Sequence, residues 1–220
     1  MVGRYALKEL MPYILFIGKG IITTLELLTG GILIGLILGA FFSILRYKKI
    51  GVIIINRIVS ILRGTPLILQ LSFVYFLTPG LIGVKLNIVT AGILTFGLNS
   101  SAYIAEILRS GIESLPQGQF EAAKTLQISS FYAWKDIILP QVVKNIFPAM
   151  VSEVIALLKE TALISTIGGM DIMRMSQILA AEQFTYFMPL CIAGAYYYGL
   201  ALCIEHLGNV IEKRGYHAKG

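Results

Sequence analysis

The sequence predicts an all-α integral membrane protein, and three observations carry that prediction. Of 220 residues, 56% are hydrophobic and only 14% charged, and the mean hydropathy is +0.80. Charge-free runs at 27–45, 64–84, 86–105 and 183–204 each approach the length of about 20 residues that a helix needs to cross a hydrocarbon core. A fifth run, 145–170, is as apolar but contains Glu153, Lys159 and Glu160. The third observation is where the basic residues fall. With the N-terminus outside and five spans alternating, Arg46, Lys48, Lys49, Arg57, Arg63, Arg109, Lys124, Lys135, Lys144, Lys213, Arg214 and Lys219 collect on one side. Only Arg4, Lys8, Lys19, Lys85 and Arg174 reach the other, so the richer side is cytoplasmic by the positive-inside rule. The net charge of +6 is therefore a signature of topology, and no nucleic-acid partner is expected.

One domain, 1–220, is expected, with spans at 13–45, 52–78, 86–111, 143–163 and 183–210. Residues 1–12 read as an amphipathic lead-in with Tyr5, Pro12 and Tyr13 near an interface. No small-residue cleavage pattern follows a short apolar core, so no removable signal peptide is expected. The first span carries Gly31, Gly35 and Gly39 on one face, a ridge that lets another helix approach closely. Glu26, in its outer half, either pairs or faces a wet cavity. Arg63-Gly64-Thr65-Pro66 opens the second span from the cytoplasmic side. Gln70 and Ser72 then lie inside the bilayer, either lining a cavity or hydrogen-bonding a neighbouring helix. In the third span Asn99, Tyr103 and Glu106 share a face, which suggests a lined path rather than lipid contact.

Residues 114–141 form the longest polar interval. Pro116 suits a first helical turn; Phe120, Ala123, Leu126 and Gln127 recur at helical spacing, with Glu121 and Lys124 on the other side. The pattern predicts a short amphipathic helix outside the bilayer, then a second over 131–138 stopped by Pro140. After the fourth span, Gly168-Gly169 reads as a bend before a short outside helix, with Asp171 and Arg174 at pairing distance in sequence. The last span carries Tyr196, Tyr197 and Tyr198, for which packing suffices. Cys191 and Cys203 are too few for a disulfide scaffold or metal site, and His206 and His217 receive no role.

The fourth span holds the sharpest chemistry. A charge at mid-membrane costs at least about 2.5 kcal/mol, and no residue of opposite sign lies three or four positions from Glu153 or Glu160, so pairing within the helix cannot neutralise them. The two acids lie roughly 10 Å apart along one face. Either Lys159 and Glu160 snorkel to an interface, or Glu153 and Glu160 face an aqueous cavity and take partners from a substrate.

Glu121-Ala122-Ala123, with Ile137-x-Leu139-Pro140 further on, resembles the cytoplasmic EAA loop of ABC-importer permeases. Gln127 stands where that pattern has Gly. Arg63-Gly-Thr-Pro-Leu with Gln70, and Ala102-Tyr-Ile-Ala-Glu-Ile-Leu-Arg-Ser-Gly-Ile, resemble the polar amino acid subfamily (histidine, arginine and glutamine permease-like), so the resemblance covers most of 63–165. It implies a type I ABC importer permease fold: five transmembrane helices and a coupling helix on the loop 114–141. Gln119, Glu121, Ala122, Ala123, Leu126 and Gln127 would meet a cytoplasmic ATPase dimer. An extracytoplasmic binding protein would deliver the substrate. A second permease chain, identical or merely similar, would complete a two-fold cavity.

That cavity's expected lining is Glu153, Glu160, Lys159, Asn99, Ser72, Gln70 and Thr161. Two carboxylates favour a basic amino acid (arginine, lysine or histidine), with Lys159 or Asn99 for its carboxylate end. Glutamine, glutamate or another polar amino acid is the alternative. No Gly-x-x-x-x-Gly-Lys-Ser/Thr run occurs, so this chain is expected to bind no cofactor; ATP and Mg belong to the ATPase, and the chain is not an enzyme. The rival from another class, a passive channel with an acidic selectivity ring, needs no coupling loop. The expected location is the bacterial plasma membrane, multi-pass, with the C-terminus cytoplasmic.

Overall fold

The computed structural model describes residues 7–217; Arg4, Tyr5 and Lys219 lie outside them. All regular structure among the described residues is helical. Helix α1 (Leu7–Gly18) leads through a turn at Gly20 into α2 (Ile21–Tyr47). Helices α3 (Val52–Gly64) and α4 (Leu67–Ser72) follow, and a π-helical turn (Phe73–Leu77) joins α4 to α5 (Thr78–Ile82). Helix α6 (Ile88–Glu113) begins on Asn87, whose side chain accepts from the Thr90 N–H at 2.7 Å, which satisfies one of the donors a helix start leaves open. Next come α7 (Gln117–Thr125), α8 (Ser130–Tyr132), a π-helical turn (Ala133–Ile138), α9 (Leu139–Glu160) and a 3₁₀ turn (Thr161–Ile167). Helices α10 (Ile172–Glu182) and α11 (Phe187–His217) close the chain.

By length and composition, 10–47, 88–113, 130–167 and 187–213 can each cross a membrane. The run expected as one span over 52–78 is instead a bent pair, with α3 and the helix after Pro66 meeting at 103°. Proline explains the bend: its ring disfavours a helical Thr65, which is extended at φ −112° and ψ 144°. Pro140 behaves differently. The expected stop at Pro140 does not occur, and the chain stays helical from Ser130 to Ile167. The wider π turn immediately before it takes up the missing N–H and the clash of the ring. Pro79 is likewise preceded by a π turn.

Helix α6 is the centre of the bundle. The predicted glycine ridge of α2 packs on it: a Cβ at Gly35 would lie 3.1 Å from Ser100, and one at Gly39 would lie 2.8 Å from Ile104. Apolar groups gain little from leaving lipid, so close contact supplies the attraction that holds such helices together. Leu27, Phe96, Leu157 and Ile164 form the largest buried cluster at the α2–α6–α9 contact. A second cluster, around Ile17, Ile172 and Leu179, docks α1 and α10 on α11.

Candidate functional site

Three polar layers line α6, and each has its own chemistry. The first surrounds the Pro66 break. A helix that ends leaves carbonyls without partners, and here Gln70 and Asn99 supply the donors. Gln70 Nε2 donates to the Leu62 carbonyl at 2.8 Å and to Thr65 Oγ1 at 2.8 Å. Asn99 Nδ2 donates to the same Leu62 carbonyl at 3.0 Å and to Gln70 Oε1 at 3.3 Å. Both residues, predicted as cavity lining, are therefore occupied in bracing the break. Ser72 bonds its own helix at the Ile68 carbonyl.

The second layer holds the acids of α9. Ser100 Oγ donates to Glu153 Oε1 at 2.6 Å, so Glu153 has a partner on α6 rather than relying on a substrate. Glu160 is half-buried and makes no hydrogen bond or ion pair among the described residues; its neighbouring charges are Glu153 and Lys159. Lys159 is exposed. Thr161 is fully enclosed and donates to the Leu158 carbonyl, which leaves it no surface for a ligand in this state.

The third layer was not foreseen. Glu106, predicted on a lined path with Asn99 and Tyr103, gathers three arginines: Arg46 of α2 at 2.5 Å, Arg109 of α6 at 2.9 Å and Arg63 of α3 at 3.5 Å. Arg109 also holds Glu113 at 2.6 Å, and Arg63 lies over the Tyr103 ring. Sequence could have hinted at this only through the i,i+3 step from Glu106 to Arg109; Arg46 is distant in the chain.

The loop 114–141 brings its motif residues together, with a different division of faces from the one expected. Phe120 and Ala123 turn inward toward Trp134, while Glu121, Ala122 and Leu126 are exposed, Leu126 at 72%. Leu126 and Gln127 have already left the helix. Gln127 has φ +54°, its N–H reaches the Lys124 carbonyl, and the Ile128 N–H reaches the Ala123 carbonyl, both at 3.0 Å. These bonds form a Schellman ending whose left-handed position usually falls to Gly, so the substitution leaves the turn intact. Gln119 Oε1 accepts from Gln141 at 3.5 Å. Trp134 Nε1 donates to Tyr47 Oη at 3.2 Å, with the rings edge to face at 4.7 Å, and so ties this loop to the end of α2.

At the opposite end, the predicted Asp171–Arg174 side-chain pair does not form. Asp171, wholly buried, caps α10 by accepting from the Arg174 N–H at 2.8 Å, and it accepts from Tyr197 Oη at 2.9 Å. Burial, the largest influence, pushes its carboxyl above the usual range despite these bonds.

An all-helical bundle of membrane-spanning length, with a broken second span, Glu153 bonded to its central helix and an exposed short helix at one end, is the architecture expected of a membrane-spanning permease subunit. Residues 31–214 match the family of binding-protein-dependent transport system inner membrane components, and the chain belongs to it. It is thus a non-catalytic membrane component, and the passive channel is set aside. A Rickettsia felis protein with the provisional name of glutamine transport system permease protein GlnP is 45% identical over 94% of this chain and 96% of its own length. The arginine transport system permease protein ArtQ of Bacillus subtilis is 40% identical over 93% and 94%. Among solved structures, an amino acid ABC transporter crystallised with histidines superposes with a TM-score of 0.87 at 33% identity, over 96% of this chain and all of that one. An inward-facing methionine transporter, MetNI, shares the fold at 0.73 and 17% identity.

Proposed function

We propose that this chain is the permease of an ATP-driven amino acid importer and that it favours basic amino acids. The carrying observation is Glu160, a half-buried carboxylate in the α9 span with no hydrogen-bond or ion-pair partner among the described residues. A buried anion left so is costly unless a ligand cation completes it, and a basic side chain or α-ammonium is such a cation. Glu153, braced by Ser100, stands two turns away on the same face as a second anion. The names of the arginine and histidine relatives support this class. Glutamine is the second reading, favoured by the name of the Rickettsia relative.

Around this site the chain pairs with a second permease, identical or similar, across a two-fold cavity. The exposed Glu121, Ala122 and Leu126 of the α7 end meet a cytoplasmic ATPase dimer, which carries ATP and Mg. A binding protein delivers substrate at the α10 end, and the C-terminus is cytoplasmic. Switching between outward and inward states requires the ligands to bind the two states unequally. The test is uptake into proteoliposomes containing the whole transporter, with arginine, histidine, glutamine and glutamate compared. Glu160→Gln should remove the preference for basic over neutral amino acids. A variant with the original selectivity would refute the assignment, and a wild type that prefers glutamine would replace it with the second reading.

A further inference from the structure

A crevice lies where the ends of α2, α3 and α6 meet, beyond the amino acid path. It encloses about 320 Å³ and is lined by Ser43, Arg46, Tyr47, Asn56, Arg109 and Glu113 among others. Its polar lining holds an unsatisfied donor. Among the described residues, Arg46 is hydrogen-bonded through Nη1, and its Nε is buried with no acceptor. Tyr47 Oη accepts from Trp134, which leaves its own proton undonated. The Ser43 hydroxyl and the Asn56 amide make no hydrogen bond within the described chain. Arg46 Nε is thus a buried donor with no acceptor among the described residues, and such a donor seeks one.

Charge points the same way. Arg46, Arg63 and Arg109 face Glu106 and Glu113, a surplus of one cation. Lys48, Lys49 and Arg57, neighbours in the chain of the lining residues Tyr47 and Asn56, are exposed. The depth is set by the spans: α2 ends at Tyr47 and α6 at Glu113, so the crevice lies at headgroup level. Exposed apolar residues adjoin its lining in the chain, Ile44 at 53% beside Ser43 and Ile53 at 79% and Ile54 at 66% between Val52 and Asn56, which suit acyl chains. A neighbouring hollow, lined by Ile44, Tyr47, Ile112 and Trp134, is almost wholly apolar.

We propose that this crevice binds an anionic phospholipid, its phosphate in the arginine-lined hollow and its acyl chains along Ile44, Ile53 and Ile54. Basic pockets between helices at the cytoplasmic face are suited to such headgroups. An acidic protein segment would match the charge but not the exposed isoleucines, and free phosphate would leave them without use. Because Arg46 and Tyr47 are tied to Glu106 and Trp134, the lipid would brace the same helix end that carries the α7 loop.

Native mass spectrometry of the full-length chain in mild detergent tests this, with phosphatidylglycerol or phosphatidylcholine added. Phosphatidylglycerol should be retained at least about five-fold over phosphatidylcholine, the factor that one surplus cation gives. Exposed Asn56 offers changes that spare the ion-pair network. Asn56→Asp should weaken phosphatidylglycerol retention about five-fold and Asn56→Lys strengthen it by a similar factor, since one unit of charge beside an anionic headgroup is worth about that much. Phosphatidylcholine should respond to neither change. Equal retention of the two lipids, or indifference to both substitutions, would overturn the proposal. So would displacement of the lipid by millimolar inorganic phosphate, which would mark a free-anion site. Loss of a co-purifying protein from Asn56→Asp with lipid retention unchanged would give the surface to a protein and equally overturn it.

Discussion

Replacing Gln127 with Gly should tighten the loop that ends α7. Gln127 holds φ +54°, a region that costs an L-residue roughly 1–2 kcal/mol through its Cβ. Glycine removes that cost but gives up about 0.5–1 kcal/mol more conformational entropy on ordering. The difference favours Gly by about 0.5–1 kcal/mol, which is about a two- to five-fold rise in the closing equilibrium of the turn. The bonds that report it are the N–H groups of Leu126, Gln127 and Ile128 on the carbonyls of Ala122, Lys124 and Ala123. Hydrogen exchange of those three amides should slow by that factor in Gln127→Gly. In Gln127→Val, whose branched Cβ makes positive φ a true outlier, exchange should speed up by more. Faster exchange in the Gly variant, or a Val variant indistinguishable from wild type, would refute the view that strain at this position sets the turn's stability.

Two further outcomes can be read from thermal unfolding in detergent. Asp171→Ala should cost about 1 kcal/mol for the lost cap and about 1–3 kcal/mol more for leaving the Tyr197 hydroxyl without its acceptor. Asp171→Asn keeps a capping oxygen and discards the buried charge. Because the folded carboxyl titrates above the ordinary value, its contribution to stability is full at acid pH and is lost as pH rises through the raised value. Asn should therefore match or exceed wild type near neutrality and lose that advantage in acid; an Asn variant as unstable as Ala would contradict this. Gly39→Val should destabilise by about 1–3 kcal/mol through overpacking, because its Cβ would meet the Ser101 carbonyl as well as Ile104. Gly199→Ala on α11, with open space around it, should be neutral or stabilising, and equal effects at the two glycines would disprove the close-packing argument.

What could be read from sequence follows the range of the interactions involved. Apolar runs and the Gly31–Gly35–Gly39 ridge are local patterns, and the helices and the α2–α6 contact follow from them. Pro66 opens a helix as expected, although it also breaks the run read as one span over 52–78, whereas the stop expected at Pro140 does not occur. Pro66 bends its span and Pro140 does not, a difference that arises because Gln70 and Asn99 satisfy the carbonyls at the first, whereas a π turn absorbs the second. Neither compensation is visible in residue spacing. The candidate site divided in the same way. Glu153 and Glu160 were legible as costly charges, but Ser100, fifty-three positions from Glu153, could not be named as a partner. The Glu106 network also joins helices far apart in the chain, and Trp134 gave no signal of its hydrogen bond to Tyr47.

The continuity of the helix through Pro140 bears on how the two ends of the proposed transporter communicate. Had the chain stopped there, α7 and the acids of α9 would be joined by a loop, and a push on one could be absorbed before it reached the other. Instead Trp134, which packs on Phe120 of α7, and Glu153 and Glu160 all belong to one helical run, Ser130–Ile167. Phe120 and Trp134 sit in the same apolar cluster as Ile138 and Val142, so α7 is fastened to the base of that run. A partner that shifts α7 would therefore tilt the carboxylates with it. The π turn at Ala133–Ile138 and the hydrogen bond that Pro148 removes inside α9 are irregular steps between them, which makes their compliance the limit on how faithfully motion at the α7 end reaches the proposed amino acid site.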